Sequence, residues 1–144
     1  MQTTVTPLRE PDLERSPQPP ANIEAAIKAG SPLVGIAVAI GDARPFNTSL
    51  IVLEPEAAAA FAREHGIADA SIAALASDER VQAEVAVGVV KANAKLARVE
   101  QIKKHVILKT EWAPGGDELT PTLKLKRKPI TEKYAEVIEA MYAE

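Results

Sequence analysis

The stretch LVGIAVAIGDARPFNTSLIVL constrains the fold of this chain more than any other, because two apolar runs flank a cluster of Gly, Asp and Pro. That order predicts a β-hairpin, with the cluster supplying the bends that strands cannot make. In a strand, alternate side chains share a face. Val34, Ile36, Val38 and Ile40 are expected on one face, and Leu33, Gly35, Ala37 and Ala39 on the other. The small residues of the second set predict that a neighbouring element packs closely there.

A hairpin alone cannot bury a core, and the rest of the chain reads as its cover. PANIEAAIKAG predicts a short helix, with Pro20 at its start, Gly30 at its end and Ile23 and Ile27 on one side. PEAAAAFAREHG predicts a second, framed by Pro55 and Gly66, with His65 near its last carbonyls. Asp69 is expected to cap a shorter helix. Val81, Val85, Val89, Leu96 and Val99 fall near one stripe, which predicts a long amphipathic helix from Asp78 to Val99 that covers the sheet. HVILKT is a candidate buried strand and WAPGGDEL a loop. The acidic Asp117 and Glu118 beside its glycines argue against a phosphate cradle. Thr131 is the expected N-cap of a closing helix whose apolar side holds Tyr134, Val137, Ile138, Met141 and Tyr142. The class is α+β, a hairpin plus a small mixed sheet flanked by helices.

At 144 residues the chain has the size of one domain. Five of its eleven prolines lie in the first 20 residues among charges and few large apolar groups, so residues 1–19 are expected to be a disordered or altered leader before a folded unit over 20–144. The absence of cysteine excludes disulfides, thiolate zinc sites and cysteine nucleophiles. A net charge of -3 argues against a broad polyanion-binding surface. No apolar run approaches the roughly 20 residues of a membrane span, and the first residues lack a signal's apolar centre. A soluble, cytoplasmic protein is expected.

His65 and His105 have no partners at metal-ligand spacing and read as surface or cap histidines, so no metal site is expected. No G-x-S-x-G turn organises a hydrolase triad. The remaining chemical candidate is LTPTLKLKRKPI, where four of the five positions from Lys124 to Lys128 are basic. If the segment is extended, Leu123 and Leu125 point inward and Lys124 and Lys126 outward, as on a lysine-blunted strand edge. A nucleic-acid patch is the competing reading, but aromatics make up only 3% of residues, leaving little with which to stack bases. Pattern alone favours the solvated edge.

The order of segments changes that balance. GDARPFNTSLIVLEPEA, then VEQIKKHVILKTEWAPGGDELTPTLKLKRKPI, then the helix ending near Tyr142, resembles the C-terminal end of AMP-forming acyl-CoA synthetases, the long-chain fatty-acid group above all. The resemblance spans most of Pro20 to Glu144 and implies a small α+β lid that swings over a large N-terminal domain, which is missing from this sequence. It implies the activity of the parent enzymes: fatty acid, ATP and coenzyme A, with Mg2+, become acyl-CoA, AMP and pyrophosphate. By the same resemblance Lys124 is the catalytic adenylation lysine, with Leu123 where the wider superfamily often has glycine. Arg127 matches a basic position that binds substrate or nucleotide, while Lys126 and Lys128 are expected to stay solvated. The hinge and coenzyme A loop are not matched, since REPDLERSPQ holds their place and only Pro20, Asn22, Ile23 and Glu24 fit the pattern's tail.

The resemblance therefore implies an excised or shortened piece of a long-chain fatty-acid–CoA ligase, inactive alone and with no cofactor bound. Its expected partner is the large adenylate-binding domain, and the parent enzyme is cytoplasmic or peripheral to a membrane. Two alternatives stay open: a non-catalytic module that keeps the fold and pairs in trans with a large domain, and anion binding through the basic run. A domain without its neighbour also exposes apolar surface through which it can self-associate.

Overall fold

The structure, a computed structural model, describes residues 20–41 and 43–143; the expected leader over 1–19 lies outside them. Val34–Ile40 (β1) pairs antiparallel with Asn47–Leu53 (β2), as the apolar runs require. The register runs from Ile40 opposite Thr48 to Ile36 opposite Val52, then slips between Val34 and Ile36. That irregularity corrects the expected alternation. Ile36, Val38 and Ile40 keep one face, but Val34 crosses to join Leu33 and Ala37 on the other. Ile102–Ile107 (β3) adds parallel to β2, giving a mixed sheet in the order β1-β2-β3. This strand begins three residues before the expected HVILKT, and Leu108 N–H still reaches Ile51 O at 2.8 Å beyond its end.

A parallel neighbour needs a long crossover, and here it consists of Pro55–Glu64 (α2), Ile72–Ser77 (α3) and Glu79–Ala94 (α4). Glu54 caps α2 by accepting Ala57 N–H at 2.8 Å, with Pro55 in the first turn where a missing N–H costs nothing. Past its end Gly66 takes φ 66°, and His65 Nδ1 lies 3.0 Å from Phe61 O, so His65 is the C-terminal cap histidine expected. Ser71, rather than Asp69, caps α3; Asp69 instead accepts the Ser71 N–H at 3.1 Å and shapes the approach. The long helix begins beside Asp78, which caps it by accepting the Arg80 N–H, but it ends at Ala94 instead of Val99. A short 3-10 turn, Arg98–Glu100, then redirects the chain into β3 and leaves Val99 69% exposed.

With Pro20–Gly30 (α1), these helices cover one face of the sheet. Ile27, Leu33, Ala37, Ile51, Leu53, Val81 and Val85 form its core, all 5% exposed or less. Ala37 and Ala39 lie on this face, in the same core cluster as Ile23 and Ile27 of α1, as their small size predicts for a face with a close neighbour. Where α1 crosses α4, a Cβ on Gly88 would fall 2.7 Å from Ser31 Cβ, so glycine is what allows the approach.

The other face packs on Arg127–Lys133 (α5) and Ala135–Tyr142 (α6), through Val38, Leu50, Val52, Trp112, Ile130, Ile138 and Met141. Burying each such side chain stabilises by about 1.5–3 kcal/mol relative to exposure. The closing helix thus starts four residues before Thr131 and breaks at Tyr134. Lys126 O accepts the Ile130 N–H at 3.0 Å, opening the helix, and Pro129 sits in its first turn where proline fits. Thr131 Oγ1 donates to Lys128 O at 2.9 Å, inside the helix. At the far end the Tyr142 hydroxyl donates to Phe46 O at 2.7 Å, tying α6 to the hairpin loop, and Arg44 lies 4.6 Å over its ring and pairs with Glu139.

Candidate functional site

The basic run is a small hairpin rather than a continuous strand. Lys126 N–H donates to Glu118 O at 2.8 Å, Leu119 bridges Leu125 antiparallel, and Thr120 N–H donates to Lys124 O at 2.8 Å. Leu123 N–H closes the tip on Thr120 O at 2.9 Å, with Pro121 and Thr122 at the turn. Leu123 itself has φ 71°, in the left-handed region. Three-residue hairpin loops commonly end on such a residue, and glycine is the usual occupant because it has no Cβ to clash.

This tip corrects the inward and outward alternation expected for LKLK. Because the left-handed residue turns the chain, Leu123 is 62% exposed instead of buried, while Leu125 half-buries against the α5 and α6 side of the core. Lys124 is exposed, with its N–H held by Thr120 Oγ1 at 3.0 Å. Its ammonium has no hydrogen bond or ion pair among the described residues.

The neighbouring cations differ. Lys126 is half-buried and its Nζ donates to Gly116 O at 2.9 Å, so it pins the hairpin to the preceding loop instead of staying solvated. Lys128 is exposed, as expected. Arg127 makes a two-pronged pair with Glu24 of α1, at 2.8 and 2.9 Å, and Glu24 Oε2 also accepts the Ala39 N–H of β1 at 2.8 Å. The Glu24 carboxylate holds the Arg127 guanidinium above its ordinary pKa, against a smaller opposing effect of burial.

Behind the tip, Glu118 is buried at 6% exposure, an expensive place for a carboxylate without partners. Lys133 Nζ reaches its Oε2 at 2.7 Å and the Tyr134 hydroxyl donates to the same oxygen at 2.8 Å, while Trp112 Nε1–H donates to Tyr134 at 2.9 Å. Burial and the hydrogen bond to Glu118 both push the Tyr134 phenol up, and the bond to Glu118 raises the Lys133 ammonium. The hairpin base is thereby locked onto α5.

Lys124 and Arg127 are therefore three residues apart in the chain but engaged differently, one reaching outward and one tied to α1. Sequence reasoning missed Thr120, Glu118 and Glu24 as supports of this hairpin. The signal for Thr120 was present in TPT, because proline after threonine favours a turn. His105 is half-buried on β3 rather than at the surface, and burial lowers its pKa. Among the described residues no group of three or more His, Asp or Glu side chains could hold a metal ion, and no helix is long and apolar enough to cross a membrane.

A family model described as the AMP-binding enzyme C-terminal domain matches residues 18–144. A Mycobacterium tuberculosis protein named as the fatty-acid–CoA ligase fadD11 is 53% identical over 124 residues, covering 86% of this chain and 22% of that protein. The long-chain-fatty-acid–CoA ligase FadD15 of the same species is 40% identical over 124 residues, covering 85% and 20%. This chain thus spans about a fifth of the curated relatives it matches. The adenylation domain of a carboxylate reductase from Mycobacterium chelonae shares the fold, with a TM-score of 0.63 at 23% identity over 86% of this chain and 18% of that one.

Proposed function

We propose that this chain, which belongs to the family of AMP-binding enzyme C-terminal domains, works as the lid of a long-chain fatty-acid–CoA ligase and carries its adenylation lysine, Lys124. The observation that carries this reading is the contrast within the basic run. Lys126 and Arg127 are spent on Gly116 and Glu24 and the exposed Lys128 lies within α5, whereas Lys124 alone of the four stands on the fastened hairpin tip with its ammonium unpaired among the described residues. The names of the relatives support the substrate class.

In the proposed reaction a carboxylate oxygen of the fatty acid attacks the α-phosphorus of ATP, and the bond to the β-phosphate oxygen breaks to release pyrophosphate. Two anions must approach for this. The Lys124 ammonium lowers that barrier by bridging the acyl and phosphoryl oxygens as charge builds between them. Lysine suits the task as a compact charge on a flexible stem. In the second step the sulfur of coenzyme A attacks the acyl carbon, the bond to AMP breaks, and the thiol proton goes to a base or solvent. Lys124 has no part in that step.

Glu24 takes up two of the guanidinium donors of Arg127, whose side chain is 43% exposed, and the remaining N–H groups form its contact with substrate or nucleotide. ATP, coenzyme A and Mg2+ bind with the large domain as partner; the described residues offer no cluster of metal ligands, and no step here passes through the ion. The protein works in the cytoplasm or at a membrane surface.

The test is a pair of half-reactions in the ligase that contains this domain. Lys124→Ala lowers fatty-acid-dependent pyrophosphate exchange by on the order of 10²-fold or more, while thioester formation from preformed acyl-adenylate stays near the unsubstituted rate. Equal loss in both half-reactions would overturn the role. The isolated chain forms no acyl-CoA, because it lacks the groups that orient the substrates.

A further inference from the structure

The charge on Lys124 acts only if its stem starts from a fixed point, and the tip has one residue that fixes it. Thr120 makes three contacts across the loop: its N–H donates to Lys124 O at 2.8 Å, its carbonyl accepts Leu123 N–H at 2.9 Å, and its hydroxyl oxygen accepts Lys124 N–H at 3.0 Å. Its hydroxyl also lies 3.2 Å from that of Thr122. The first two contacts use backbone and survive any side chain. The third belongs to the hydroxyl alone, and it ends on the Lys124 peptide.

A second feature shows that this clamp is needed. Leu123 is held at φ 71° although its exposed side chain gains little packing in return. Such a conformation persists only where the surroundings over-determine it. Thr120 accepts a hydrogen bond on each side of the strained position, from Leu123 N–H before it and from Lys124 N–H after it. Without the hydroxyl, Leu123 can relax toward ordinary backbone angles, and the Cα of Lys124 turns with it.

We propose that Thr120 is a positioning residue for adenylation, its hydroxyl fixing the direction in which Lys124 leaves the tip; this rests on the role given to Lys124 above. Thr120 touches neither substrate nor nucleotide. It acts through Lys124, so its removal affects the step that uses Lys124 and leaves the other alone.

Two measurements test it. In the chain itself, Thr120→Val speeds exchange of the Lys124 amide hydrogen at least tenfold, a threshold typical of losing one stable hydrogen bond (about 1.4 kcal/mol per tenfold). Thr120→Ser restores protection, and the β2 amides stay unchanged in both, which separates a loosened tip from a loosened fold. In the ligase, Thr120→Val lowers kcat for pyrophosphate exchange by roughly 10- to 100-fold, as small misplacements of a catalytic group do. KM for the acid and thioester formation from acyl-adenylate stay constant, and Thr120→Ser recovers most of the rate. If Lys124→Ala blocks adenylation but Thr120→Val leaves it at full rate, the inference falls and the role of Lys124 stands. If Lys124→Ala itself leaves adenylation intact, both fall.

Discussion

At two residues, Leu123 and Gly88, the presence or absence of a Cβ matters in opposite senses, through backbone angle at the first and through close packing at the second. Leu123 has a Cβ where none is wanted, at φ 71° and largely exposed. Leu123→Gly relieves about 1–2 kcal/mol of backbone strain and gives back about 0.5–1 kcal/mol through a freer unfolded chain. The expected result in urea unfolding is a midpoint unchanged or slightly raised; a clear fall would mean that the side chain packs within the fold. Gly88 lacks a Cβ where there is no room for one, since it would meet Ser31 Cβ at 2.7 Å and the Gly30 backbone at 3.1 Å. Gly88→Ala should destabilise by about 1–3 kcal/mol, because the two helices must separate. By resemblance a glycine is expected where this chain has Leu123, and sequence alone does not say why. The structure shows a left-handed hairpin position at Leu123, which glycine suits because it has no Cβ, closed by the bonds to Thr120. The pairing of Arg127 with Glu24 was equally hidden, since the partners are 103 residues apart and no local pattern joins them.

The elements that sequence predicted well are those fixed by local chemistry. Proline and glycine bracket α1 and α2, the long helix α4 starts just after Asp78, and Gly41 and Pro45 stand between the strands of the first hairpin. Misplaced boundaries share another cause: tertiary contacts overrode the local signal. Lys126 opens α5 because the hairpin before it is pinned to Glu118 and Gly116, making Thr131 redundant as a cap. The β3 strand extends back to Ile102 because Asn93 of α4 bonds both the N–H and the carbonyl of that residue, at 2.8 and 3.0 Å. His105 on β3 then sits half-buried, and burial disfavours its charged form. Its folded pKa lies below the unfolded value of about 6.5, so between the two the unfolded chain binds more protons and stability rises with pH. The stabilisation of the neutral form is therefore fully present well above about 6.5 and is lost as pH falls through that value toward the folded pKa. Melting temperature should drop from pH 7 to pH 5, and His105→Gln should flatten that drop. An unchanged pH profile in the variant would assign the dependence to the carboxylates instead.

At the scale of the whole molecule, the two helical layers lie on opposite faces of the sheet, and side-chain bonds at the β1 edge join them. Glu24 of α1 accepts the Ala39 N–H, a backbone donor on the edge strand of the sheet, and with its other contacts grips Arg127 at the start of α5. The same carboxylate therefore blunts a sheet edge and links the first described helix to the element that follows Lys124. Because Glu24 is 8% exposed, the two ways of breaking the pair are unequal. Arg127→Met leaves a buried carboxylate with a single backbone donor and should cost about 1–3 kcal/mol, toward the lower end because the arginine side is partly solvated. Glu24→Gln placed on top of Arg127→Met removes the orphaned charge yet keeps an oxygen for Ala39. The double variant should therefore recover part of the loss. Denaturant unfolding of the two single variants and the double gives the coupling directly. Additive losses would mean that the pair contributes nothing as a pair, and that the two helical layers hold together by apolar packing on the sheet alone.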